Sequence, residues 1–225
     1  FVLSIILAVL LLLALIPVST SDLQSSPDPA NSYEDAVQRI QVILDDESGK
    51  VCDICGTRFY THGGRTEKAV VLIHGLTNSP RQFEELGKEL FDDGYNVLIV
   101  RMPYHGLSAH TVAELGNLKA EDLSGFADES ADIADGLGEE VTVVGLSGGG
   151  TVAGWIAQNR ADVDKAVLIA PLYGMAPVPP FGNYMLGNLF SRLPDFVFQS
   201  SSEPPRESVY LGWSTRGVAE YLVFS

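Results

Sequence analysis

Apolar and polar positions alternate along the chain in blocks of differing period. The run from Phe1 to Ile16, FVLSIILAVLLLLALI, carries no charge. A helix buried in a core keeps a polar stripe, and here only Ser4 interrupts the apolar residues. Further on, Tyr33, Ala36, Val37, Ile40, Ile43 and Leu44 recur at the 3.6-residue period behind Ser32, an N-cap residue, with Gly49 as the stop. Residues 69–73 (AVVLI), 95–100 (YNVLIV), 141–144 (VTVV) and 166–169 (AVLI) are short continuous apolar runs of the kind found in strands covered on both faces, and residues 58–61 read as a shorter strand.

Helical patterns lie between these runs. Ser79, Pro80 and Gln82 predict a capping box with proline at the first helical position. Phe83, Leu86 and Leu90 line one face of that helix, and Gly94 closes it. Over residues 122–137, Leu123, Phe126, Ala127, Ser130, Ile133, Ala134 and Leu137 share a face opposite Asp128, Glu129, Asp132 and Asp135. These acids read as a solvated face, because their spacing does not bring four oxygens to one point. A helix over 149–159 follows. Strands alternating with helices predict an α/β fold with a mostly parallel sheet and helices on both faces. No internal repeat is present.

The ends read differently. Residues 1–18 suit a signal-peptide core or part of a membrane span, which needs ~20 apolar residues. No A-x-A site follows Pro17, and Val18 with Thr20 or Ser19 with Ser21 are mediocre cleavage positions, so the expectation leans to an uncleaved N-terminal membrane anchor, with secretion as the alternative and the body outside the cytoplasm in either case. Residues 19–32 have the polar, proline-containing composition of a linker. The core is expected over 33–170, and 171–225 as a separate lid or cap region.

Composition narrows the function. The chain has 225 residues, 46% of them hydrophobic, enough for a packed core. A net charge of −15 would repel a phosphate backbone, so nucleic acid is not an expected partner. Cys52 and Cys55 form one C-x-x-C without a second pair or nearby histidines, short of a zinc site. The motif lies in a Gly-flanked stretch before a strand, not at a helix start as redox catalysis would require. A structural role follows, either a local disulfide or two ordinary thiols.

The candidate chemistry centres on Gly145-Leu146-Ser147-Gly148-Gly149, a G-x-S-x-G pattern between a buried strand and a helix. Such a nucleophile elbow holds its serine in a strained turn, and Gly145 and Gly149 must be small so that strand and helix can approach. A phosphate-binding glycine loop is the rival, but there is no G-K-[ST] and no acidic residue ending a following strand to hold a ribose. After the strand ending at Ile73 comes His74-Gly75-Leu76, where an acyl-transfer enzyme needs a backbone N–H aimed at the oxyanion. Leu76 and Gly148 then supply the two amides. His74 reads as a loop-fixing histidine, not a base, since it precedes the serine on another strand.

VVLIHGLTNSPRQFEELGKELFDDGYNVLIVRMPYHG followed by VTVVGLSGGGTVAGWIAQ resembles the α/β-hydrolase fold, particularly the bacterial carboxylesterase and monoacylglycerol-lipase-like group, over about residues 58–171. The resemblance implies a Ser, Asp, His triad in that chain order and a lid after the sixth strand. Pro103-Tyr104-His105-Gly106 matches the group's loop after the fourth strand and implies that Tyr104 and His105 border the pocket. All four histidines, His62, His74, His105 and His110, precede Ser147, so the group's base has no counterpart. No further strand pair is evident after Ile169. Residues 171–213 carry seven of the twelve prolines and many aromatics, which either line an acyl pocket or pack a lid onto the core.

The sequence therefore reads as part of a longer frame, inactive by itself. Its implied function is that of a serine hydrolase cleaving small-molecule carboxylic esters with an apolar acyl group through an acyl-enzyme on Ser147, without a cofactor. A peptidase or thioesterase on the same scaffold, or an inactive binding protein, are the alternatives.

Overall fold

The structure, a computed structural model, describes residues 1–108, 111–199 and 208–225. In chain order the helices are α1 (Val2–Leu15), α2 (Tyr33–Glu47), α3 (Glu84–Asp92), α4 (Ala120–Leu137), α5 (Gly148–Asn159), α6 (Pro180–Phe190) and α7 (Thr215–Phe224). The strands are β1 (Arg58–Tyr60), β2 (Thr66–Ile73), β3 (Asn96–Val100), β4 (Gly138–Leu146), β5 (Lys165–Ile169), β6 (Val197–Gln199) and β7 (Gly212–Ser214).

Five strands form one sheet in the order β1-β3-β2-β4-β5, in which only β1 runs antiparallel. The uninterrupted apolar runs are explained by its two covered faces. On β2 and β3, Val71, Ile73, Leu98 and Val100 pack into a cluster with Ile133, Leu137, Val152 and Ile156 of α4 and α5. The alternate residues Val70, Leu72, Val97 and Ile99 face Phe83 and Leu90 on the α3 side. This is an α/β-hydrolase type of architecture, with the elbow at the C-terminal end of β4, next to the end of β2.

The helix ahead of α3 begins differently from the predicted capping box. Residues Pro80–Phe83 form a 3-10 turn, and the side-chain Oε1 of Gln82 accepts from Gly75 N at 2.8 Å instead of reaching back to Ser79. Ser79 N donates to Asn78 Oδ1, and the buried Ser79 hydroxyl has no partner among the described residues. Gln82 thus holds the loop after β2, the more demanding position.

The acidic face of α4 is not solvated throughout. Asp128 and Asp132 are buried and pair with Arg160, whose side chain is fully buried and also pairs with Asp162. Residues ahead of α2 pack onto the same acids: Ser26 N donates to Asp128, Asp28 N to Asp132, and Ala30 N to the Asp132 carbonyl. Gly136 permits this approach, since a Cβ there would lie 2.7 Å from Ser32 O and 2.8 Å from Ala36 Cβ. Among the described residues no group of acids, histidines or cysteines is arranged to hold a metal ion.

The membrane-anchor expectation is corrected. Helix α1 has 14 residues, about 21 Å at 1.5 Å per residue, against a hydrocarbon core of about 30 Å. Among the described residues no helix is long and apolar enough to cross a membrane. Instead α1 lies against α6, where Asn188 Nδ2 donates to Ala14 O, and Arg192 to the carbonyls of Leu13, Ile16 and Pro17. These donors satisfy carbonyls that a helix end leaves open. The expected anchor over residues 1–18 is therefore not supported among the described residues, and the extracytoplasmic placement drawn from it loses its basis.

A second correction concerns the region after Ile169. It does contain a strand pair, the short antiparallel β6 and β7, separate from the main sheet and stacked through Phe198 and Trp213 with ring centroids 4.6 Å apart. Cys52 and Cys55 form a disulfide, resolving the two structural readings in favour of the bond.

Candidate active site

Ser147 sits between the last residue of β4 and the first of α5 with φ 55° and ψ −114°, the left-handed region that a side-chain-bearing residue adopts at a cost. The two flanking glycines make that turn possible. A Cβ on Gly145 would lie 2.0 Å from Gly149 O, and one on Gly149 would lie 2.1 Å from Ile73 O and 2.5 Å from His74 O. Any larger residue would drive α5 off the ends of β4 and β2. The turn is pinned from the far side by Ser147 N donating to Ile169 O (2.9 Å) and Leu172 N donating to Ser147 O (3.1 Å).

The loop after β2 lies beside this elbow. A Cβ on Gly75 would touch Leu146, the residue before Ser147, at 3.4 Å. Gly75 is held at its N–H by Gln82, and its carbonyl accepts from Asn78 N (2.9 Å) and His74 Nδ1 (2.9 Å). The Leu76 carbonyl is tied to His105 Nε2 at 2.7 Å. Among the described residues, neither the Leu76 N–H nor the Gly148 N–H meets an acceptor. Buried amides are nearly always paired, so two open ones in the loop and helix start next to a strained serine are unusual.

His74 and His105 are both fully buried, with rings 5.1 Å apart edge to face. His74 donates from Nδ1 to Gly75 O and accepts at Nε2 from Met102 N (3.1 Å), an arrangement only the neutral ring can make. Burial, reinforced by neighbouring His105, holds its pKa well below the ordinary histidine value. His105 places Nδ1 2.8 Å from Pro103 O and Nε2 2.7 Å from Leu76 O; burial lowers its pKa to about 4, so a neutral ring donates only one of the two bonds. Both histidines therefore hold loops together and leave no ring nitrogen for Ser147. His62 stacks on Phe91 and contacts Phe91 O, away from the elbow, and His110 lies outside the described residues. Among the described residues no histidine hydrogen-bonds Ser147.

Tyr104 also takes a left-handed backbone, φ 62°, and packs partly buried against the main core. Gly106, φ 67°, comes so close to the disulfide that a Cβ there would lie 2.7 Å from Cys55 Cβ. Its N–H donates to Tyr210 Oη (2.8 Å), and its carbonyl accepts from Cys52 N (2.8 Å). The Pro103-Tyr104-His105-Gly106 loop is therefore fixed by the disulfide hairpin on one side and by Tyr210 on the other.

Sequence reasoning missed Gln82 as a loop clamp, and it missed Tyr221 of α7, fully buried against Gly148. A signal for the second was present. The elbow requires glycine at 145 and 149, yet 148 is glycine as well, a surplus that points to a bulky neighbour.

The sheet order, the serine elbow and the loop beside it define an α/β-hydrolase. The pattern of the family described as serine aminopeptidase, S33 matches residues 64–210, and the chain belongs to that family. It is 25% identical over 151 residues to the thermostable monoacylglycerol lipase of Bacillus sp. (strain H-257), a match covering 64% of this chain and 54% of the relative. The chain thus spans about half the length of that curated relative. Among solved structures, one of the metagenome-derived lipolytic enzymes LipS and LipT superposes with a TM-score of 0.54 at 20% identity, covering 78% of this chain and 69% of the other. The Paleococcus ferrophilus monoacylglycerol lipase gives a TM-score of 0.48 at 18% identity, over 74% and 69% of the two chains.

Proposed function

We propose that Ser147 is the nucleophile of a serine hydrolase that cleaves carboxylic esters with an apolar acyl group. The observation that carries this reading is the strained Ser147 flanked by the two open amides of Leu76 and Gly148. The Ser147 hydroxyl attacks the ester carbonyl, and the developing oxyanion takes hydrogen bonds from those amides. Collapse expels the alcohol and leaves an acyl-serine, which water then hydrolyses. A general base must take the hydroxyl proton, and His62, His74 and His105 do not face it.

One further fact favours an ester: the curated relative is named a lipase. The family description favours a second reading, an aminopeptidase.

The two readings separate by rate. The full-length gene product is expected to hydrolyse p-nitrophenyl butyrate and octanoate far faster than alanine p-nitroanilide. Ser147→Ala should lower kcat by on the order of 10⁴. Faster cleavage of the anilide would favour the peptidase, and a rate that survives Ser147→Ala would remove Ser147 from the chemistry.

A further inference from the structure

Gly148 is glycine because Tyr221 occupies the space a side chain would need. A Cβ at 148 would lie 3.0 Å from Tyr221 Cζ and 3.1 Å from its hydroxyl oxygen. The hydroxyl end of the phenol, together with the adjoining ring edge at Cε1 (3.1 Å), therefore meets the residue whose amide is one of the two open donors. A ring used only for packing there would be better as phenylalanine, because a buried hydroxyl has to find a partner.

The partner it finds is poor. Tyr221 is fully buried, and its hydroxyl donates to Met102 Sδ at 3.1 Å. A thioether is a weak acceptor, so this bond is readily exchanged for one to an oxygen bearing negative charge. Burial raises the phenol's pKa above its ordinary value, which keeps the proton on the oxygen and the group a donor at neutral pH.

The helix that carries the ring is firmly held. Glu220 accepts from Ala120 N at the start of α4 (3.1 Å), with Lys119 close by. Asp195 accepts from Ser214 Oγ, Thr215 Oγ1 and Arg216 N at the start of α7. A donor fixed in place before the reaction stabilises developing charge without reorganising, which is what an oxyanion site demands.

The geometry points to Tyr221 as a third hydrogen-bond donor at the oxyanion position, contributed by the side chain of α7 beside the Leu76 and Gly148 amides. The inference rests on the reading of Ser147 as nucleophile. In the transition state the hydroxyl leaves Met102 Sδ and donates to the tetrahedral oxyanion; no proton is transferred, and the bond reverts when the intermediate collapses.

The test compares wild type, Tyr221→Phe and Met102→Leu in the full-length gene product. Tyr221→Phe keeps the ring against Gly148 and removes only the hydroxyl, while Met102→Leu removes the same ground-state bond from its acceptor side. Tyr221→Phe is expected to lower kcat about 100-fold with KM within about twofold, and to slow fluorophosphonate inactivation by the same factor. Met102→Leu is expected to stay within about threefold of wild type, whatever its Tm. Wild-type kcat in Tyr221→Phe, or equal losses in both variants, would show that the hydroxyl only braces the core, and would overturn the inference while leaving Ser147 in place. Failure of the probe to modify Ser147 in wild type would instead remove the nucleophile reading, and the third donor with it.

Discussion

Ser147, Tyr104 and Ala170 are the residues other than glycine with positive φ among those described, and two of them belong to the elbow and the adjacent loop. Backbone strain is thus concentrated where the candidate chemistry lies. The glycines at 145 and 149 could be understood from the sequence, because a G-x-S-x-G turn between a strand and a helix needs them whatever else the fold contains. The contact of Gly148 with Tyr221 could not, since it depends on a helix that follows in the chain and on how that helix docks. His105 is intermediate: the resemblance placed it near the pocket, but only the structure shows it bonded to the carbonyl of Leu76.

That burial also sets a pH dependence. Native His105 stays neutral down to about pH 4, whereas in the unfolded chain it protonates near 6.5. Between those values the unfolded state binds more protons, so stability falls as the pH drops through this window and levels off for this group below it. The expected contribution is about 3 kcal/mol. Urea unfolding of wild type and His105→Gln at pH 7 and pH 4.5 measures it: the wild type should lose more stability than the variant. Equal losses would show that His105 titrates normally in the native state. The difference between the two proteins is the relevant quantity, because the raised carboxyls of Glu129, Asp132 and Glu220 favour the native state on acidification and act in the opposite direction.

At the scale of elements, the strands of the central sheet were legible because residues 69–73 and 141–144 are apolar without a polar alternation, a pattern that two covered faces impose. Helix α4 was legible as a helix, but its acidic face was misassigned. The partner of Asp128 and Asp132 is Arg160, which lies beyond β4 and α5, and nothing local announces it. Helix α1 was misassigned for a related reason. Its composition suits a bilayer, but the donors from Asn188 and Arg192 dock it against α6. The Arg160 cluster predicts a large effect. Burial opposes its charge, and hydrogen bonds with Asp162, Asp132 and Asp128 more than offset that, holding the guanidinium above its ordinary value. Arg160→Ala leaves buried carboxylates uncompensated and should cost about 3 to 5 kcal/mol. A fall in Tm of a degree or less would mean that water already solvates those acids.

For the molecule as a whole, the parts converge on one point. The sheet order brings the ends of β2 and β4 side by side; the disulfide hairpin, Tyr210 and the buried histidines fix the loop from Pro103 to Gly106; and α7 closes over Gly148. A loss at any one of these supports would be felt at Ser147, which is why the fold and the candidate site cannot be separated in this chain. Direct chemical trapping of that serine tests the account most sharply. The full-length gene product is treated with a fluorophosphonate, digested, and the adduct located by fragment-ion mass spectrometry. The account predicts a single adduct on Ser147, absent when the protein is unfolded before treatment and absent in Ser147→Ala. An adduct on another serine of the folded protein, or none at Ser147 while esters are still hydrolysed, would contradict it.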